Sequence, residues 1–191
     1  AAEAGKDIWC EKPMSRTIGE GVAMIKAVED HQRIFRINTW FRFRDKYYWF
    51  KRPAADVWKV AHHGLLGDGP LTFKIGTGGL KLGKWAGRTD LVEQPVPEHL
   101  DYNMWLGPAP LKPYHADRVH AKFRGYWDYD GGGLGDMGQH YLDPAQFILG
   151  KDNESPVHIE VDTDQQDLDA VLPWRRLEMV YADGSKIIID A

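Results

Sequence analysis

The sequence predicts an α/β segment followed by an α+β segment: a lone βαβ unit, then an open, mainly antiparallel sheet with helices on one face. Three observations carry this reading. Residues 1–42 alternate strand, helix and strand patterns with tight turns between them. The glycine-rich run Gly131 to His140 (GGGLGDMGQH) opens a helical pattern. The C-terminal stretch alternates apolar and polar residues on either side of Asp183-Gly184, a hairpin signal.

The elements follow in order. Ala1 to Ala4 reads as the last turn of a helix stopped by Gly5, and Asp7 to Cys10 as a short buried strand. Thr17 and Glu20 form a capping box, and Val22, Ile25 and Val28 continue helical spacing to about Asp30. Arg33 to Phe43 alternates like a strand, which puts Arg33, Arg36, Arg42 and Arg44 on a solvated face. A βαβ unit implies a parallel sheet, and a single unit leaves that sheet without neighbours on one side. A helix is predicted from Pro53 to His63 and a strand from Leu71 to Ile75. Residues 76–118 are rich in Gly and Pro and read as a long ordered excursion, of the kind that is functional or docks on a partner. The glycine-rich helix comes next, with Asp143 expected to cap the segment after Pro144 and a kink expected near His140. Val157 to Val161, Arg176 to Tyr181 and Lys186 to Asp190 complete the sheet.

Composition narrows the function classes. The chain has 191 residues, a net charge of -4 and one cysteine. An acidic balance disfavours nucleic acid as a partner, because phosphate binding needs a basic surface. The apolar runs are too short to span a bilayer. One cysteine rules out an internal disulfide, which favours a cytoplasmic setting; the sequence opens at Ala1 without Met, so an exported form stays open. The histidines show no zinc spacing, so no metal site is expected.

The chemistry-bearing residues are few. Asp136 and His140 are four apart, so on a helix they share a face, and a carboxylate beside an imidazole is a proton-transfer pair. Lys12 stands in Cys10-Glu11-Lys12-Pro13, at the end of a strand in a parallel sheet, where ligands bind. Trp127, Asp128 and Tyr129 precede the glycines, where a substrate ring could stack; packing explains them equally well. Gly76-Thr77-Gly78-Gly79 follows a strand, but Lys81 occupies the place of a third glycine and no helix pattern follows, so it is not read as a pyrophosphate turn.

These residues resemble the Gfo/Idh/MocA family of NAD(P)-dependent oxidoreductases. Ala4 to Pro13 (AGKDIWCEKP) resembles its Glu-Lys-Pro strand end, Met104 to Tyr114 (MWLGPAPLKPY) a loop of one large branch, and Trp127 to Asp143 its Gly-Gly-x-x-x-Asp-x-x-x-His helix. The resemblance implies an internal fragment of such an enzyme. Residues 1–42 would be the C-terminal end of a Rossmann domain, and 43–191 an α+β catalytic domain that is incomplete at its C-terminus. It implies NAD or NADP as cofactor, with Glu11, Lys12 and Pro13 at the cofactor, Lys12, Asp136 and His140 catalytic, and Trp127, Asp128 and Tyr129 at a carbohydrate-like substrate. It also implies a homo-oligomer, and a cis bond before Pro13. Two alternatives stand beside a dehydrogenase: an NAD-dependent glycosidase of the same family, and a non-catalytic oligomerisation or binding module.

Overall fold

A computed structural model describes residues 1–43, 53–76 and 85–190. The predicted βαβ unit is formed by β1 (Ile8–Glu11), α1 (Ile18–Asp30) and β2 (Phe35–Asn38). β1 and β2 pair in parallel, with Ile8 opposite Phe35 and Glu11 opposite Asn38. The capping box starts α1 as expected: the Glu20 amide donates to the Thr17 hydroxyl at 3.2 Å, and the Thr17 amide to the Glu20 carboxylate at 3.0 Å. The expected helix end before Gly5 is a 3₁₀ turn, Ala2–Ala4.

The second strand is shorter than the alternation predicted. It ends at Asn38 because its partner ends at Glu11, and Trp40–Phe43 coils into a 3₁₀ turn. That turn sets the Trp40 ring edge-on to His140, with centroids 5.9 Å apart. It also takes Arg42 off the solvated face expected of it: its guanidinium pairs with Asp143 at 2.5 Å and Asp152 at 2.7 Å. Burial works against the Arg42 charge, but the bonds to these two carboxylates outweigh it and raise its pKa. Arg33 donates to the carbonyls of His31 and Gly5, and Arg36 lies over the Trp9 ring. Arg44 falls outside the described residues.

The second unit contains α2 (Ala54–His62), β3 (Thr72–Gly76), α3 (Tyr102–Leu106), α4 (Gln139–Ile148), β4 (His158–Thr163), β5 (Trp174–Val180) and β6 (Lys186–Asp190). The sheet order is β3-β6-β5-β4; β3 runs parallel to β6 and the other pairs are antiparallel. Alternation gives the sheet two different faces. Ile75, Leu177, Ile187 and Ile189 pack on Tyr141 and Ala145 of α4 and form the core. Each such aliphatic side chain contributes about 2 kcal/mol relative to exposure. The other face carries a charged ladder in which Lys186 and Arg176 both hold Glu178, and Arg176 also reaches Asp190. Against α4 lies α2, where Trp58 stacks on His62 at 4.4 Å and on Phe147 at 6.3 Å.

The described part of the excursion, residues 85–118, has one short helix, α3, capped by the Asp101 carboxylate, which accepts from the Met104 amide at 2.9 Å. It is ordered by a second core of Tyr102, Leu106, Tyr114 and Val119. It is also pinned to the body at Gly87, where a Cβ would lie 2.0 Å from the Gly125 carbonyl oxygen, so only glycine allows the two backbones to meet. Residues 77–84, which include most of the glycine cluster after β3, fall outside the described residues. Among the described residues no helix is long and apolar enough to cross a membrane.

Candidate active site

The site begins where β1 ends. Lys12 follows the strand and is joined to Pro13 by a cis peptide bond. Its ammonium donates to the Asp136 carbonyl oxygen at 2.5 Å and lies 3.4 Å from the Asp136 carboxylate. This contact joins the βαβ unit to the glycine-rich segment across 124 positions of sequence.

The glycines shape that segment in a way periodicity did not foretell. Leu134–Gly138 is a π-helical turn running directly into α4. Such turns are rare and concentrate at functional sites. Gly132 opens it with φ 65, and a Cβ there would lie 2.6 Å from the Val171 side chain, so the entry requires glycine. The carboxylate of Asp136 is divided between two cations: one oxygen faces Lys12, and the other accepts from Arg124 Nε at 2.8 Å. Its influence on His140 is through charge. Burial, and then the Lys12 ammonium, pull the His140 pKa below the usual imidazole value, while Asp136 pushes it back up.

α4 continues through Pro144, which is fully buried. Asp143 is therefore not an N-cap. Its carboxylate is held by Arg42, in two bonds of 2.5 and 2.7 Å. Burial raises the Asp143 carboxyl above the usual carboxylate value, and the bonds from Arg42 oppose that shift.

A cavity of about 310 Å³ lies between the two units, lined by Lys12, Ile37, Asn38, Thr39, Gln139, His140, Leu142, Asp143 and Gln146. Lys12 and His140 thus share one space. Glu11 is beside it with a tying role, accepting from the Asn38 amide at 2.7 Å across the end of the strand pair. Trp127, Asp128 and Tyr129 lie elsewhere. The Trp127 indole donates to the Asp167 carbonyl at 3.0 Å, and Asp128 pairs with Lys112 at 3.4 Å. Tyr129 meets the edge of Trp105 at 5.1 Å, and burial raises its phenol pKa. Asp128 and Tyr129 line a second cleft of about 640 Å³, with Arg16 and Glu20 of the first unit, Trp105, Leu106 and Pro108 to Pro110. Among the described residues no group of three or more His, Cys, Asp or Glu is placed to hold a metal ion.

Sequence reasoning missed Arg124 and the true partners of Arg42. A lone arginine ahead of the glycine run carries no spacing signal, and the alternation of Arg33, Arg36 and Arg42 pointed the wrong way.

Fold and site together define an α/β protein with a lysine, a carboxylate and an imidazole gathered at the carboxyl end of a parallel strand. Comparison with known proteins makes this specific. Residues 50–191 match the Gfo/Idh/MocA oxidoreductase family, C-terminal alpha/beta domain. The chain belongs to this family. No curated protein matches the sequence. Among solved structures it is similar to the WlbA dehydrogenase of Bordetella pertussis in complex with NADH and UDP-GlcNAcA, at 17% identity and a TM-score of 0.58, over 100% of this chain and 46% of that one. It is similar to the aldose-aldose oxidoreductase of Caulobacter crescentus complexed with glycerol, at 21% identity and 0.55, over 99% and 44%. A third is an oxidoreductase from Agrobacterium radiobacter in complex with NAD+, L-tartaric acid and magnesium, at 16% identity and 0.53, over 100% and 42%. At these identities the likeness concerns the fold, and the chain spans less than half the length of each.

Proposed function

We propose that the chain is the larger part of the catalytic half of an NAD(P)-dependent oxidoreductase acting on a secondary alcohol, or the matching ketone, of a sugar, polyol or related compound. Residues 1–42 are assigned to the end of a nucleotide-binding domain and 43–191 to the substrate domain. The observation that carries the reading is the meeting of Lys12, Asp136 and His140 across the two units, beside a cavity large enough for a ring-sized ligand. Four of the structural relatives were crystallised with NADH, NAD+ or NAD, two of these also with the nucleotide sugar UDP-GlcNAcA, and another with glycerol, which supports the cofactor and substrate class.

The residues present fit a nicotinamide at this place. Lys12, Asn38, Thr39 and Gln139 offer donors around a cavity walled by Ile37 and Leu142, so an amide-bearing ring and a ribose would both find partners. The cofactor supplies the hydride acceptor. The His140 imidazole, kept neutral by burial and by Lys12, accepts the substrate hydroxyl proton as the carbon is oxidised. The Lys12 ammonium stabilises the negative charge that develops on the substrate oxygen. Asp136 holds Lys12 in place and offsets the cost of charging His140.

Screening sugars and polyols with NAD+ and NADP+ on the full-length enzyme tests this. Nicotinamide reduction that requires Lys12 and His140 is the expected result. Glycoside release without net reduction would instead select the glycosidase reading. The absence of both, with cofactor binding absent, would leave the binding module.

A further inference from the structure

Resting on the proposed function, we infer that Arg124 is a positioning residue of this site, fixing the orientation and compensating the charge of the Asp136 carboxylate that Lys12 and His140 face. Its Nε donates to Asp136 at 2.8 Å and its Nη1 to the Ala121 carbonyl at 3.3 Å. Two rings pack on its guanidinium, Trp85 at 4.7 Å and Phe123 at 4.8 Å to the ring centroids. An exposed ion pair would contribute little, because two long side chains lose entropy to meet. Here both partners are mostly buried, at 25% and 16% exposure, and the planar group is already confined by the rings.

The charges around the site show what the pair does. Lys12 reaches it from the segment after β1, Asp136 from the π turn and Arg124 from the 3₁₀ turn His120–Gly125. Asp130 lies ahead of the glycines, its carboxyl raised first by burial and further by Asp136, with Arg124 and Lys12 opposing. On α4 the remaining carboxylate, Asp143, is matched by Arg42. With Arg124 gone, two acids would face the single cation Lys12. The uncompensated Asp136 would hold the Lys12 ammonium away from a substrate oxygen and would raise the proton affinity of His140.

The test combines a histidine-ring NMR titration of the full-length protein with pH profiles of kcat and KM. Arg124→Met removes the charge and keeps much of the stacking. It should move the His140 midpoint, and the acidic limb of the kcat/KM profile, to higher pH, and lower kcat by roughly 10–100-fold with a smaller change in KM. Arg124→Lys should return the midpoint but only part of kcat, since it lacks the Nε donor and the planar stack. In an Asp136→Asn background, Arg124→Met should move the midpoint far less. Should the Met variant not fold, the Lys variant decides: a normal midpoint with lowered kcat supports the inference, and wild-type values for both overturn it. A midpoint unmoved in Arg124→Met, with only the melting temperature reduced, also overturns it. The titration needs no turnover, so an inactive protein would count against the proposed function and leave the Arg124 question decided separately.

Discussion

In the proposed mechanism the His140 imidazole is the base; burial and a neighbouring ammonium lower its pKa, and a carboxylate opposes them. For a base that must be neutral, activity should persist below the usual imidazole value of about 6.5 before falling. The same shift has a stability sign. The unfolded ring binds its proton more readily than the folded one, so this contribution is complete above about 6.5 and is lost as pH falls toward the folded value. His140→Ala should cut kcat by ~10²–10⁴. Lys12→Met should lower kcat and weaken cofactor binding together. Asp136→Asn should move the pH profile or KM with folding intact. If His140→Ala changes only thermal stability, as measured by calorimetry beside steady-state kinetics, the ring is a core histidine and the mechanism fails. The proximity of Lys12, Asp136 and His140 was foreshadowed in the sequence because each sits in a short local pattern. The contact of Arg124 with Asp136 was not, because it comes from the approach of a 3₁₀ turn to a π turn, which leaves no periodic trace.

Among the elements, α1 and β6 could be read closely, the first from its capping box and the second from its hairpin turn. The errors share one cause. Alternation predicts a strand only where a partner strand exists, and β2 stops when β1 stops, so Trp40–Phe43 takes another course. The 3.6-residue period likewise could not show the π turn, which glycines permit and Val171 shapes. The 3₁₀ turn after β2 carries Arg42, which staples the first unit to α4 at Asp143 and to the loop beyond at Asp152. Truncating it strands a largely buried carboxylate, so Arg42→Ala should destabilise by roughly 1–3 kcal/mol. Because Asp143 lines the same cavity as His140, the variant should also raise KM. A chemical denaturation series beside the kinetics checks both, and a loss of stability with unchanged KM would confine Arg42 to a structural role.

For the molecule as a whole, the apolar side chains left outside are informative. Ile18 is 88% exposed, Ile34 69%, Trp9 68% and Val22 61%, all in the βαβ unit. A protein made of these 191 residues alone should therefore self-associate. It should also bind NAD(H) weakly, because in the βαβ unit the turn into α1, Pro13 to Thr17, has no glycine to bring the backbone against a pyrophosphate. Light scattering and calorimetry measure both. A sharp monomer with a cooperative melt, or low-micromolar NAD(H) affinity, would argue for a self-sufficient module instead.

The order β3-β6-β5-β4 has a further consequence in time. β6 sits at the centre of the sheet, yet it comes more than a hundred residues after its parallel neighbour β3. As a nascent chain leaves the ribosome, β3 has no strand to pair with until β6 emerges, while the hairpin of β5 and β6 joins neighbours in sequence. Pairings this distant slow folding and lengthen the time an unpaired strand spends exposed. Sheet closure should therefore be a late event in synthesis, and arrest of translation before Lys186 should leave Thr72–Gly76 open to proteolysis while the βαβ pairing of β1 and β2 is already possible.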